Sequence, residues 1–334
     1  MSSATSTTAL SIGVPRAHSP MPGLPLRVGT RGSPLALVQT RAFLDQIMAV
    51  CPVLRAVDAF REFAITTTGD AVQNRLLADI GGKGLFAREI HEALLDGRID
   101  FAVHSLKDLE TELPAGIVLA CTLRREDARD ALILPHGAAD PENPFASLAP
   151  GALIGSASLR RQAQLLALRP DLRVGLIRGN VQTRLSKVRG GEFGGSLLAL
   201  AGLKRLGLED EAAAIIPTAI MLPAACQGIV GVTVRACDVD LHELLSTIED
   251  PAAAAVSQAE RSLLAALDGN CRTPIGGHAS LLPGGMMRLE GLTARADGSF
   301  LLRRSIQGTA ADAVTLGATL GAELRADSPA DIFS

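Results

Sequence analysis

From residue 26 onward the apolar positions come in short runs set between amphipathic stretches of about ten residues, an alternation that predicts strands joined by helices. Leu26-Arg27-Val28-Gly29 has the pattern of a short strand. Ser33-Pro34 follows as a helix start, serine taking the N-cap and proline the first helical position. Leu35, Val38, Ala42 and the Ile47-Met48 pair then place an apolar stripe along that helix. Further on, the pattern predicts a strand from Phe60 to Thr66, a glycine-rich turn, a helix from Leu85 to Leu95 and a strand from Ile99 to Val103. That last strand runs straight into His104-Ser105-Leu106-Lys107-Asp108.

The rhythm continues with strands expected at Ala131 to Leu134, Ala152 to Ile154, Val174 to Ile177 and Ser196 to Ala201. Helices are expected at Ser158 to Leu168 and Asn180 to Val188. Strands alternating with helices imply an α/β fold of parallel sheets with helices packed outside. Two segments have the character of crossings between units: the charged Arg124-Arg125-Glu126-Asp127, and Leu222-Pro223 leading to a late strand at Ile229 to Val234. A third unit opens near Pro251 with an alanine-rich helix through Leu267 and continues as a smaller strand-rich portion.

A chain of 334 residues exceeds one ordinary core, so two or three domains are expected, and with 47% hydrophobic residues but no Trp or Tyr their packing is aliphatic. The formal net charge of -3 provides no global field to recruit nucleic acid, so any anion site must be built locally. Cys51, Cys121, Cys226, Cys237 and Cys271 lie far apart, with no CxxC pair and no Cys/His spacing suited to zinc. They fit thiols in a reducing compartment and no metal site. No apolar run approaches the roughly 20 residues that span a membrane. The first 25 residues, rich in Ser, Thr, Pro and Ala, lack a secretory apolar core and are expected to form a disordered extension of a cytoplasmic protein.

Charge is concentrated between Gly155 and Arg189, where eight basic residues accompany one acid, Asp171. Arg169, Arg173, Lys187 and Arg189 fit a solvated face. Arg160 and Arg161 fall in the first turn of a helix, where the macrodipole opposes each cation by roughly 0.3–1 kcal/mol. Their position implies an anion between them, with Ser156, Ser158 and the first-turn N–H groups as further donors. Arg178 is expected at the C-terminal end of a strand, where open α/β sheets hold ligands; Asn180 can cap the next helix and Arg184 lies one turn in. Arginine suits such a site because its planar fork grips carboxylates by two bonds and stays charged.

Other candidates are ambiguous by themselves. Gly81-Gly82-Lys83-Gly84 is no phosphate loop, since no Ser or Thr follows the lysine, and it fits a glycine turn bearing one lysine. Asp108 after a strand end is either a catalytic carboxylate or a helix cap, and His104 fits a core histidine bonded to backbone better than a general base. Cys271, in Asp268-Gly269-Asn270-Cys271-Arg272-Thr273-Pro274, is either a thiol exposed on a turn and activated by Arg272 or a small buried residue.

Taken in order, these segments resemble the porphobilinogen deaminase (hydroxymethylbilane synthase) family. The resemblance runs from Leu26 to the region of Leu324 and rests on Gly29-Thr30-Arg31-Gly32-Ser33-Pro34, Gly81-Gly82-Lys83-Gly84-Leu85-Phe86 and Val103-His104-Ser105-Leu106-Lys107-Asp108. It continues through Ser158-Leu159-Arg160-Arg161-Gln162, Arg178-Gly179-Asn180, Thr183-Arg184-Leu185, Ala201-Gly202-Leu203-Lys204-Arg205 and Gly269-Asn270-Cys271-Arg272-Thr273. It implies two periplasmic-binding-protein-like domains around a cleft and a small α+β third domain. The boundaries would be 26–123 with 223–248, then 124–222, then 249–334.

The resemblance also implies a chemistry. Cys271 would carry a dipyrromethane cofactor by a thioether, and four porphobilinogens would be joined head to tail onto it with loss of ammonia. Lys83, Lys107, Ser156, Ser158, Arg160, Arg161, Arg184 and Arg205 would hold the cofactor, and Arg31, Ser33, Arg178 and Phe86 the substrate. Asp108 would be the catalytic carboxylate, stabilising a cationic azafulvene. Porphobilinogen would be the partner, without nucleic acid or membrane, and the protein a monomer. Gly194, Cys226 and Thr233 depart from the family, where Asp, Gly and Glu are usual. A non-catalytic anion-binding protein of the periplasmic-binding-protein fold would share the arginines but leave Cys271 unexplained.

Overall fold

A computed structural model describes residues 23–71, 84–269 and 273–333. The N-terminal extension expected over residues 1–25 therefore lies almost wholly outside the described residues. Thirteen strands are present among those described. The chain begins with β1 (Leu26–Arg31), β2 (Phe60–Ile65), β3 (Phe101–Ser105) and β4 (Ile117–Thr122). It continues with β5 (Asp130–Ile133), β6 (Leu153–Gly155), β7 (Arg173–Gly175), β8 (Gly195–Ala199) and β9 (Ala214–Ile216). It then returns to the first sheet with β10 (Val230–Arg235) before β11 (Ile275–Leu282), β12 (Met286–Ala294) and β13 (Leu301–Thr309).

Two five-stranded sheets share one plan, ordered β2-β1-β3-β10-β4 and β7-β6-β8-β5-β9. In each, the strand next to the edge runs antiparallel to both neighbours. That strand is the first one made after the chain crosses over: β5 follows β4, and β10 follows β9. The expectation of wholly parallel sheets is corrected here. A segment arriving from the other lobe enters from the far side, whereas helix crossovers keep the remaining strands parallel. The third sheet, β11-β12-β13, is antiparallel.

Local chemistry accounts for the element ends. Ser33 caps the helix Pro34–Val50, its Oγ accepting from the Ala36 N–H at 3.3 Å. The helix expected from Leu85 begins at Arg88, because Gly84–Ala87 form a turn whose Leu85 and Ala87 are buried. The strand expected to end at Ala201 stops at Ala199, and Leu200–Arg205 is helical. β3 continues two residues beyond its predicted end, to Ser105.

The first sheet packs Phe43, Phe101 and Ile47 against one another with an aliphatic remainder. In the third region the helices Pro251–Ala266 and Ala313–Asp327 press together so closely that a Cβ on Gly317 would lie 2.3 Å from the Ala259 carbonyl oxygen. No described helix is long and apolar enough to cross a membrane.

Candidate active site

The ends of β1 and β3 and the loops before two helices of the second sheet face one cavity of about 690 Å³. Among the described residues six cations line it, Arg31, Lys107, Arg160, Arg161, Arg178 and Arg184, against three acids, Asp70, Asp108 and Glu110. Gly269 and Thr273, the described residues on either side of Cys271, also line it. Cys271 itself and Lys83 lie outside the described residues.

Arg31 stands at the last position of β1. It grips Asp70 in fork fashion, Nε to Oδ2 at 3.1 Å and Nη2 to Oδ1 at 2.5 Å, and reaches Asp108 Oδ2 through Nη1 at 3.3 Å. Its guanidinium lies 4.2 Å over the centre of the Phe86 ring, so Phe86 is part of the wall. β3 ends in a single 3-10 turn, Leu106–Asp108, which turns Lys107 and Asp108 into the cavity. Lys107 donates to Gln227 Oε1 at 3.3 Å, and burial pushes its pKa down to about 8 although Asp108 opposes the shift.

The anion inferred between Arg160 and Arg161 is present inside the protein. Asp130, the first residue of β5 and wholly buried, accepts from Arg160 Nη1 at 2.9 Å and Arg161 Nη2 at 2.8 Å. Gln227 Nε2 adds a third donor at 2.8 Å. The helix Leu159–Leu168 thus carries its two first-turn arginines because a carboxylate from the neighbouring strand answers them. Arg160 Nε and Arg161 Nε remain buried without a partner. Ser158 caps this helix through the Arg161 N–H and lines the cavity. Ser156 is placed differently: it is buried behind the lining, and its hydroxyl accepts from the Ser158 N–H at 3.1 Å.

Arg178 follows two residues of loop rather than ending a strand, since β7 stops at Gly175. Its Nη2 donates to the Gly69 carbonyl at 2.8 Å, linking the two lobes. Asn180 caps the helix Val181–Arg189 as expected, accepting from the Thr183 N–H at 2.9 Å. Arg184 donates to the Gly179 carbonyl at 2.9 Å, and burial followed by repulsion from Arg161 and Arg178 lowers its pKa to about 10.

Arg205 separates from this set. It bonds the Gly228 carbonyl at 2.6 Å and faces a second hollow of about 350 Å³ with Arg124 and Arg125, outside the lining of the main cavity. Arg189 pairs Glu211 at the surface as expected, whereas Arg169 is half-buried, pairing Asp171 and donating to the Phe145 and Leu148 carbonyls. His104 is a core residue, but its partner is the Thr233 hydroxyl at 2.9 Å rather than backbone. Burial, then His91 and Arg31, pushes its pKa down to about 3, so it is neutral at ordinary pH. Thr233, one of the three departures, is therefore matched to a neutral imidazole.

Asp70, Asp130, Gln227 and Glu110 are the site residues that sequence reasoning missed. Asp130 left a signal, a lone acid opening an apolar strand, since such a residue must find a buried cation.

The model for the porphobilinogen deaminase dipyromethane cofactor binding domain matches residues 26–243, and that for the porphobilinogen deaminase C-terminal domain matches residues 254–326. Porphobilinogen deaminase of Paracoccus denitrificans is 49% identical over 314 residues, covering 94% of this chain and 98% of that protein. The Nitrobacter winogradskyi protein of the same name is 48% identical, covering 89% of this chain and 92% of that one. Among solved structures, the periplasmic VFT2 domain of Bordetella pertussis BvgS aligns with a TM-score of 0.39 and 12% identity, over 70% of this chain and 92% of that one. The chain belongs to the porphobilinogen deaminase family, as a transferase of tetrapyrrole biosynthesis with a dipyrromethane cofactor-binding domain.

Proposed function

We propose that this cavity joins four porphobilinogen molecules head to tail, each addition releasing one ammonia, to give hydroxymethylbilane. The observation that carries the reading is the excess, among the described residues, of six lining cations over three acids, drawn from both five-stranded sheets onto one space. Each porphobilinogen brings an acetate and a propionate, so a growing chain is a polyanion. Lys107 and Arg184, whose charged forms burial disfavours, gain the counter-charge they lack when carboxylates enter.

The dipyrromethane fits the same imbalance, and the buried, unpartnered Nε atoms of Arg160 and Arg161 show that Asp130 does not use every donor of the two guanidinium groups. Bound by a thioether to Cys271, it supplies the first pyrrole onto which substrate is added. The placement of Gly269 and Thr273 in the lining supports Cys271 in that role. Lys107, Ser158, Arg160, Arg161 and Arg184 would hold its carboxylates, with Ser156 acting through Ser158. Arg31, Ser33, Arg178 and Phe86 would receive the substrate. Arg205, facing the second hollow, has no place in this assignment.

Asp108 is oriented by Arg31 and sits where a carboxylate can accept from pyrrole N–H groups. Its charge stabilises the cationic pyrrole-methylene left when ammonia departs, a preorganised interaction that needs no reorganisation at the moment of reaction. The reading also assigns a monomer acting in the cytoplasm, with domains at 26–123 plus 223–248, 124–222 and 249–334; the return of β10 to the first sheet supports the discontinuous one.

Intact mass of the purified protein tests the cofactor. An excess of two linked pyrrole units is expected, and it should vanish in Cys271→Ser; active protein of unmodified mass would refute the attachment. For the carboxylate, Asp108→Asn should keep the mass excess while losing nearly all turnover, and near-normal ammonia release by it would reject the role.

A further inference from the structure

Three acids among the described residues line the cavity, and they differ in what holds them. Asp70 and Asp108 both accept from Arg31. The Glu110 carboxylate accepts no hydrogen bond from any described residue, although its side chain is only 10% exposed and its Oε2 is buried. Opposite that oxygen, at 4.0 Å, stands Nδ1 of His91, a residue 3% exposed whose two ring nitrogens are also unpartnered. Arg261 passes nearby and feels the Glu110 carboxylate electrostatically, but its hydrogen bonds go to the backbone carbonyls of Glu110 and Thr111, at 2.7 and 2.9 Å, so it fixes the segment and leaves the carboxylate without a donor. Gly84 packs over the other oxygen so tightly that a Cβ there would lie 1.9 Å from Oε1.

A buried carboxylate without a donor is costly, and native proteins keep such groups where something else supplies the donor. The six lining cations answer the carboxylates of the substrate. Porphobilinogen also carries one positive group, its aminomethyl ammonium, which those cations repel. We propose that Glu110, set beside His91, is the ammonium subsite of this cavity: it receives the aminomethyl nitrogen of the incoming porphobilinogen and retains it as it departs. The inference rests on the reading of this cavity as the site of polymerisation. Burial lowers the His91 pKa more than Glu110 raises it, so His91 stays neutral and forms no ion pair with Glu110.

The stoichiometry gives such a subsite work to do. The C–N bond breaks with both electrons on nitrogen, and the positive charge passes to the pyrrole-methylene beside Asp108. That carbon bonds to the α-carbon of the chain-end pyrrole, whose α-hydrogen leaves as a proton. The proton converts the departing ammonia to ammonium, and a carboxylate two residues from Asp108 is there to hold it.

The test uses the full-length, cofactor-loaded protein and Glu110→Gln, with ammonium chloride as the probe against sodium chloride at equal ionic strength. Loss of one charge-assisted bond should raise the KM for porphobilinogen roughly ten- to a hundredfold. Competitive inhibition by ammonium is expected in the unaltered protein; it should disappear in this variant and persist in Glu110→Asp, which keeps a carboxylate. An unchanged KM together with unchanged ammonium sensitivity in Glu110→Gln would overturn the subsite. Asp108→Asn measured in parallel separates the two readings. If it is inactive while Glu110→Gln behaves normally, only the subsite falls; if Asp108→Asn turns over normally, the reading of the cavity falls.

Discussion

Replacing Asp130 by asparagine removes one negative charge from the point where Arg160, Arg161 and Gln227 all donate, at 2.9, 2.8 and 2.8 Å. The side chain keeps its size, so packing is preserved and the effect is electrostatic. One of the two Asn oxygen-equivalent positions becomes an NH2 group facing a guanidinium, and two buried arginines lose their shared counter-ion. Breaking a buried pair on one side costs about 3–5 kcal/mol. At roughly 2–4 °C per kcal/mol for a unit of this size, the Asp130→Asn protein should melt about 6–20 °C lower. The pH profile carries the same information. The two arginines hold the Asp130 pKa well below the ordinary carboxylate value, despite burial acting the other way. Its stabilisation is therefore complete above about pH 4–5 and lost as pH falls toward the folded-state value. Thermal unfolding followed from pH 7 to pH 3 should show a shallower acid loss in Asp130→Asn than in the unaltered protein. A melting temperature within about 2 °C of the unaltered protein at pH 7 would refute the view that Asp130 is the internal anion for these arginines.

Two further outcomes follow from the geometry. Because burial sets Lys107 near 8, its charge fades above that pH, so the KM for porphobilinogen should rise on the alkaline side of about pH 8. Over the same window, up to about 10.4, the unfolded chain binds the lysine proton more than the folded one, so this residue's penalty on stability shrinks as pH rises. Lys107→Arg should move the alkaline limb of KM upward, and an unmoved limb would exclude Lys107 as its origin. Cys226, the residue that departs from the family's glycine, is buried with φ at +61°, a conformation costing about 1–2 kcal/mol for a residue with a Cβ. Cys226→Gly should therefore melt no lower than Cys226→Ala, reversing the usual order, and a glycine variant clearly below alanine would reject strain at this position.

Much of this protein is decided locally and is legible along the chain. Ser33, Ser158 and Asn180 start their helices because a short polar side chain followed by helix-forming residues satisfies the first backbone donors without distant help. The concentration of arginine between Arg160 and Arg184 is likewise a property of composition in sequence order. The ordered segments from Gly29 to Thr273 carried the family. What the chain order hides is anything that depends on partners far apart. Asp130 meets arginines 30 and 31 residues away, Arg178 meets Gly69 from 109 residues away, and His104 meets Thr233 from 129. The antiparallel strands β5 and β10 are equally non-local, because their direction depends on where the chain re-enters each sheet. Sequence thus determines which groups are available and which helices they begin. Tertiary structure decides which charges cancel inside the protein, as Asp130 does, and which carboxylate lining the cavity, Glu110, is left without a donor among the described residues.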